Sequence, residues 1–423
     1  MTIFHAKEEI MLDRHEVVIA GAGPAGAQCA RDVARRGYDV LVLETENEAE
    51  FPRQSNKSTA GTFASMMGAF GLPDDVVMNY TEKIVLESPN DHFTRVQPGA
   101  VMDFADFKQF LVEDGREAGA EYRFNARATA PITENGHAVG VRYNGDQEVY
   151  ADIVIDATGP AAPLAKALDV SDLERKNQAI GVEWEMDGIR VEHDGYADLT
   201  DAMMLRLDHD LAPGGYSWIF HTGADTAKVG LCFIQNERYR NHQTRDRSID
   251  GYLDHWLDTD PRLTNAKRHE GGQHRGSAHI QTPDRLHAPG FMAIGDTVPT
   301  VDPLWGEGID TCMKSGRAAA ITADRCLMSE RRDTSDSNMS VYDTLWHRDV
   351  APKAERRLLM TRLLYLASNE RYDRLLGDMN DLGIGTLADA NEGSPLAIAR
   401  LIHLDDAPLF GQFLRDRVAE RLA

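Results

Sequence analysis

Three stretches of this chain combine glycines with residues able to hold a nucleotide. The first is Gly21-Ala-Gly-Pro-Ala-Gly26, the second Asp156-Ala-Thr-Gly159, and the third Gly295-Asp296 followed by Asp302-Pro-Leu-Trp-Gly-Glu-Gly-Ile309. Each follows a β-like run. In the first, Gly21 permits a tight turn, Gly23 lets the backbone approach a pyrophosphate, and Gly26 allows a helix to pack closely on a strand. The N-terminus of that helix offers free N–H groups and a positive dipole end to phosphates. Glu44 closes the next β-like run, where an acid can bind ribose hydroxyls. Three remote glycine turns fit one dinucleotide wrapped by three segments. No second GxGxxG unit is found. FAD is therefore the expected cofactor, and redox chemistry the expected activity.

The elements that must position these turns are legible in outline. His15–Ala20 reads as a buried strand, Gln28–Arg36 as a helix closed by Gly37, and Asp39–Glu44 as a second strand, which together make a βαβ unit. Phe104–Ala118 reads as a helix ending at Gly119. Tyr122–Ala128, Gly140–Tyr143 and Val149–Asp156 read as strands. Ala179–Met186, Tyr216–Phe220 and Ala227–Phe233 suggest an antiparallel sheet inserted between cofactor motifs. A helix follows from 309 to about 328. Residues 340–423 look mainly helical, with a Gly/Asp-rich break at about 377–393. The expected fold is α/β: a Rossmann-like FAD-binding domain (1–173 and 286–330), a substrate domain (174–285) and a helical C-terminal region (331–423), with the polar run Arg331–Asn338 as the boundary.

Composition narrows the function further. The 423 residues carry a net charge of -23, and only 10 of the 45 basic residues are Lys. Such a surface repels nucleic acid. An acidic, lysine-poor surface suits a salt-rich cytoplasm, where screening relieves self-repulsion, so a halophilic source is expected. Cys29, Cys232, Cys312 and Cys326 lack metal or disulfide spacing, and no metal is expected. The charged opening stretch is unlike a signal peptide, and no apolar run is long enough to span a bilayer. A cytoplasmic protein is expected, with peripheral contact to the inner face of the cell membrane as a further reading.

The Gly21–Gly26 motif with Glu44, the DATG turn, and Gly295-Asp296 followed by PLWGEGI and Met313-Lys-Ser-Gly-Arg317 resemble the geranylgeranyl reductase family. That family belongs to the hydroxybenzoate-hydroxylase-like flavoproteins. The resemblance runs from about 14 to 325. Tyr216-Ser-Trp-Ile-Phe220 is similar to the family's YxWxF, with His221 where Pro is usual. The resemblance implies that Ala25 and Glu44 contact the ADP half of FAD and that Ala128 contacts adenine through its backbone. It also implies that Asp296, Gly308 and Ile309 contact the flavin half. Gly306–Ile309 would open a helix toward the flavin N1/O2 edge, and Gly159 of the DATG turn is a further cofactor-binding candidate. Two positions depart from the family: Phe104 stands where an Arg commonly lies beside FAD, and the loop Gln54–Gly61 lacks a Cys. Ser58, Thr59 or Lys57 is expected to replace its cofactor contacts.

The family reduces double bonds in isoprenoid chains, in archaea usually those of an unsaturated diether phospholipid. The electron donor implied is NAD(P)H or a protein such as ferredoxin. A menaquinone-tail reductase and a flavin monooxygenase of the same fold are the alternatives. Tyr216, Trp218 and Phe220 alternate on one strand and share a face. That face is either the wall of a lipid tunnel or ordinary core. His221 points the other way and is a candidate proton source, as is water. Ala354–Leu366 is locally basic with leucines at helical spacing, and reads either as a membrane-surface helix or as an ordinary packed one.

Overall fold

The computed structural model describes residues 13–52, 59–243, 247–328, 332–392 and 394–422. Its strands are β1 Arg14–Ala20, β2 Val40–Leu43, β3 Gly61–Phe63, β4 Val77–Glu87, β5 His92–Met102, β6 Glu121–Arg123, β7 Ala128–Glu134 and β8 His137–Tyr143. They continue as β9 Gln147–Asp156, β10 Gln178–Asp187, β11 Ala202–Arg206, β12 Gly215–Gly223, β13 Thr226–Ile234, β14 Lys267–His279, β15 His287–Ala288 and β16 Phe291–Ala293.

These strands form two sheets. The first is centred on a parallel set ordered β16-β9-β1-β2-β6, extended by the antiparallel β7-β8-β9 meander and by β15. Val17–Ala20 and Val40–Leu43 are buried on both faces, which explains their unbroken apolar runs. Helix Pro24–Ala34 starts earlier than the apolar pattern suggests, because Gly23 serves as N-cap and Pro24 is preset for the first turn. It packs against helix Phe104–Glu117 and against the long helix Ile309–Met328.

The second sheet runs β14-β10-β13-β12-β11-β4-β5-β3. It is not confined to the inserted segment 174–285. Residues 71–103, for which the sequence pattern gives no assignment, contain the long β4–β5 hairpin. β4 pairs parallel with β11 and so joins β3–β5 to the inserted strands. Helix Ile249–Thr259 covers one face through Tyr252, Leu253 and Trp256. The other face looks toward the first sheet.

The C-terminal region is helical, but it does not stand apart. Tyr342 and Trp346 enter the core of the first sheet, whereas Tyr365 and Tyr372 pack beside Tyr239 under the second. His209 Nε2 lies 2.8 Å from the Ala367 carbonyl, and the Asn369 side chain accepts from the His209 backbone N–H. The expected break at 377–393 is much shorter: helices Asn369–Asp381 and Ile384–Glu392 are interrupted only at 382–383.

A buried ion cluster braces the outer part of the second sheet. The Arg262 guanidinium is fully buried and binds both carboxylate oxygens of Glu87, at 2.7 and 2.8 Å, and Asp260 at 2.8 Å. Removing the cation would take the closest charged partner from two buried carboxylates, leaving Glu87 with Arg206 at 3.6 Å and Asp260 with the Trp256 indole N–H at 3.1 Å. Arg262→Ala is therefore expected to lower stability by about 3–5 kcal/mol, measured by urea unfolding at constant salt.

Candidate functional site

The three glycine turns meet at the C-terminal ends of the parallel strands. Gly21 has φ of 105°, and a Cβ there would lie 2.4 Å from the Ala157 carbonyl oxygen. The first turn thus touches the second. Gly159 N–H donates to Thr297 Oγ1 at 3.1 Å, which ties the second turn to the third. A Cβ on Gly295 would lie 2.8 Å from that of Ala25, bringing the third turn back to the first helix. Asp156 stabilises the middle turn. Its Oδ1 accepts from Thr158 N–H and Oγ1, and its Oδ2 from Leu164 and Ala165 N–H.

The Met313–Arg317 stretch acts in the same junction. Ser315 Oγ accepts from Gly295 N–H at 3.0 Å, and Gly316 lets helix 309–328 lie against Ala25, where a Cβ would come 2.3 Å from the carbonyl oxygen. Gly26 plays the packing role read from the sequence, since a Cβ there would sit 2.0 Å from Gly21 O.

These turns open onto a cavity of about 1180 Å³ that also reaches the second sheet. Drug-sized ligands occupy roughly 300–1,000 Å³, so a dinucleotide and part of a second molecule can share this space. Gly21, Gly23, Glu44, Thr59, Ala128, Gly159, Asp296, Gly306, Gly308 and Ile309 all line it. Ala25 and Gly26 lie just behind the lining, and Lys57 and Ser58 fall outside the described residues.

The lining fits FAD on several observations. A Cβ at Gly23 or Gly159 would meet no atom within 4 Å, so the backbone at both turns is open to a phosphate. Glu44 Oε2 accepts from Ala22 N–H at 2.8 Å and Oε1 from Glu46 N–H at 2.9 Å. Each oxygen keeps a lone pair for a ribose hydroxyl. Among the described residues the Asp296 carboxyl finds only the Cys312 thiol, 3.8 Å away, as hydrogen-bond partner. A ribityl hydroxyl would complete it. Gly306 has φ of 68° and passes so close to Tyr216 that a Cβ would lie 2.1 Å from the phenol oxygen. The start of helix 309–328 is thereby pinned beside the aromatic strand. Phe104 does line the cavity where the family carries Arg, and a cation stands one turn further on. The Lys108 ammonium is buried, 4.9 Å from the Phe51 ring centroid and 5.8 Å from that of Phe104.

The aromatic strand is placed as its alternation suggests. Tyr216, Trp218 and Phe220 all line the cavity, together with Met203 and Leu205 of β11 and Ile84 of β4. His221 is a correction. It is buried on the opposite face, where its Nδ1 accepts from Asp201 N–H at 3.0 Å and its Nε2 lies 2.9 Å from the Ala224 carbonyl. Both ring nitrogens are engaged in holding a turn, and the ring has no access to the cavity. The sequence reading also missed Glu183 and His274, which line the cavity. Glu183 and Glu185, two apart in an otherwise apolar strand, were a visible signal; their facing residue on β14 was not.

Helix Ala354–Leu364 is packed rather than free. Leu358 and Thr361 are buried, Thr361 Oγ1 donates to the Pro303 carbonyl at 2.7 Å, and Arg357 pairs with Asp302. It buttresses the loop before Gly306, as the packed-helix reading expects.

Two acids at the flavin end have displaced titrations. Burial pushes the Asp296 carboxyl up to about 6 and the Glu307 carboxyl up to about 7. A carboxyl raised on folding favours the neutral form, so its contribution to stability is present at low pH and is lost as pH rises through these values. FAD-stripped protein should therefore lose stability between about pH 4 and 7, from the ordinary carboxyl range up to the raised values, and Asp296→Asn with Glu307→Gln should flatten that slope in thermal unfolding. Asp296→Ala should weaken FAD binding by roughly 10–100-fold, the value of a charged hydrogen bond, as measured by flavin fluorescence on titration of the apoprotein.

Comparison with known proteins agrees with this geometry. Residues 16–273 match the model of the FAD-dependent oxidoreductase family. The chain is 63% identical over 406 residues to digeranylgeranylglycerophospholipid reductase of Haloferax volcanii, covering 96% of this chain and 99% of the relative. It is 30% identical over 344 residues to digeranylgeranylglycerophospholipid reductase 1 of Methanopyrus kandleri, covering 79% of this chain and 86% of the relative. Its fold matches the crystal structure of a geranylgeranyl bacteriochlorophyll reductase-like protein from Thermoplasma acidophilum, with a TM-score of 0.79, 21% identity, and coverage of 96% and 98% of the two chains. It also matches a flavin-dependent brominase, with a TM-score of 0.69, 19% identity, and coverage of 87% and 92%. With its glycine turns knit around one cavity, the chain belongs to the FAD-dependent oxidoreductases and, among them, to the digeranylgeranylglycerophospholipid reductase family.

Proposed function

We propose that this protein uses FAD to reduce carbon–carbon double bonds in the geranylgeranyl chains of an archaeal diether phospholipid. The observation that carries the reading is that one cavity joins the FAD-binding turns to an apolar, aromatic sheet face. When bound by the three turns, FAD would supply the hydride equivalent. The chain's own residues do the rest. At the start of helix 309–328 the Asp310 N–H donates to Glu307 Oε1 at 2.7 Å, and the positive end of the helix would favour negative charge on the reduced cofactor. Tyr216, fixed over Gly306, places the aromatic strand next to that end.

An isolated alkene has no carbonyl to polarise, so its reduction needs a proton and passes through cationic character. The faces of Trp218 and Phe220 can stabilise such a charge while excluding water. Met203, Leu205 and Ile84 extend the apolar wall for the rest of the chain. No helix among the described residues is long and apolar enough to cross a membrane. Contact with a membrane surface would instead use the exposed Leu396, Leu404, Leu414 and Val418 near the chain end, where Leu414 and Val418 lie one helical turn apart. Electrons would come from NAD(P)H visiting the open face or from a small redox protein such as ferredoxin.

The test uses purified protein in high salt, reduced anaerobically with dithionite and mixed with unsaturated archaeal diether lipid. Mass gains in steps of two hydrogens, together with flavin reoxidation, are expected. Unchanged lipid with reoxidation by a menaquinone would move the substrate to the quinone tail. Rapid oxygen consumption with hydroxylated product would make the protein a monooxygenase. Repeating the reduction with NADPH, NADH or reduced ferredoxin identifies the donor.

A further inference from the structure

The cavity face of the second sheet is not uniformly apolar. Alternation along β10 turns Val182, Trp184 and Met186 toward the opposite core and Glu183 and Glu185 toward the cavity side. The β10–β14 register sets His274 directly across from Glu183 on the same side, and β13 sets Lys228 across from Glu185. Glu183 and His274 both line the cavity.

The contacts in this group are uneven. Glu183 Oε2 accepts from the Trp218 indole N–H at 2.7 Å, and Gly230 leaves room for that ring. Glu183 is 3% exposed, yet its Oε1 has no hydrogen-bond partner among the described residues. His274 Nε2 lies 3.0 Å from Glu185 Oε1. The Lys228 ammonium donates to the carbonyls of Thr59 and Met102, 3.0 Å from each. A buried polar atom left unsatisfied costs about 1–3 kcal/mol, more when charged. An amide at 183 would accept from Trp218 as well without placing an ionisable group there, so the second carboxyl oxygen, which faces the cavity lining, is available for chemistry in the cavity.

We propose that Glu183 is the acid that protonates the prenyl double bond and that His274, oriented by Glu185, is the positioning residue that resupplies its proton. This inference rests on the substrate reading given above. The proton leaves Glu183 Oε1, and the π electron pair of the alkene forms the new C–H bond. The second alkene carbon takes positive character beside the Trp218 ring and the new carboxylate, and it receives a hydride from the reduced cofactor. His274 returns a proton to Glu183 and is itself recharged from water. One alkene, one proton and one hydride give the saturated bond, and the cofactor is oxidised by two electrons.

Once Glu183 has given up its proton, its carboxylate favours charge on His274 and so keeps a proton at hand for the return step. Burial opposes charge on His274, but the hydrogen bond to Glu185 and the field of Glu183 outweigh it, and Lys228 acts the other way. The net effect holds the imidazole above its ordinary range.

The test is the pH-dependent rate at which dithionite-reduced holoenzyme is reoxidised by unsaturated diether lipid, with product mass recorded. Glu183→Gln keeps an acceptor for Trp218, so it should spare FAD binding and dithionite reduction while slowing lipid-dependent reoxidation by at least about 100-fold. Glu183→Asp should recover part of that rate. His274→Gln should make the rate begin to fall at lower pH. In lipid-free protein, NMR titration should find His274 above about 6.5 and lower in Glu185→Gln. An active wild type with an unaffected Glu183→Gln variant would overturn this inference alone. A wild type that leaves the lipid unchanged would remove the substrate reading and this inference with it.

Discussion

The close crossing of helix 24–34 by helix 309–328 is the contact on which the site depends. It is possible only because residue 316 has no side chain, so that the later helix can lie against the Ala25 carbonyl. Ser315, its neighbour, holds Gly295 N–H, and the Gly295 turn reaches the DATG turn through Thr297. Interiors pack too tightly to absorb an extra methyl at such a point without displacement. Moving that crossing would shift all three nucleotide-facing turns at once. A motif that reads in sequence as a helical Lys-Ser-Gly stretch is therefore a clamp that registers one end of the chain against the other.

The second sheet answers a different requirement. A lipid-chain cavity must be apolar, but reduction of an isolated alkene needs a proton in that same space. The sheet separates the two by strand. β11, β12 and β4 present sulfur, aliphatic and aromatic groups, and β10 and β14 present the ionisable ones, with the Trp218 indole bonded across to Glu183. On the far side, Arg262 and Arg206 offset the buried carboxylates of Glu87 and Asp260, so the charges there are structural. The net charge of -23 over the whole chain speaks instead to solvation in salt.

Local chemistry was legible where one short segment makes its own structure. The GxGxxG turn, the DATG turn and the Gly306 bend each need a glycine for steric reasons that neighbouring residues reveal. The alternation of Tyr216, Trp218 and Phe220 likewise gave a shared face. His221 was misleading because alternation says which face a ring leaves and not what it meets; it meets Asp201 and Ala224 backbone. The two readings of helix 354–364 could not be separated for a similar reason. Its arginines resemble a basic surface, yet one of them is spent on Asp302 of the cofactor loop.

The sequence by itself determined the cofactor class, the βαβ start, the three turns and the aromatic strand, because these follow from backbone sterics and two- or three-residue spacing. Only the tertiary structure decided that β3–β5 leave the first domain's sequence to complete the second sheet. It also decided that Glu183 faces His274 and that residues 342–346 fill the first core. Those outcomes rest on pairing between strands and helices far apart in the chain. Pairing of that kind is set by how whole faces bury one another, and no local pattern of residues encodes it.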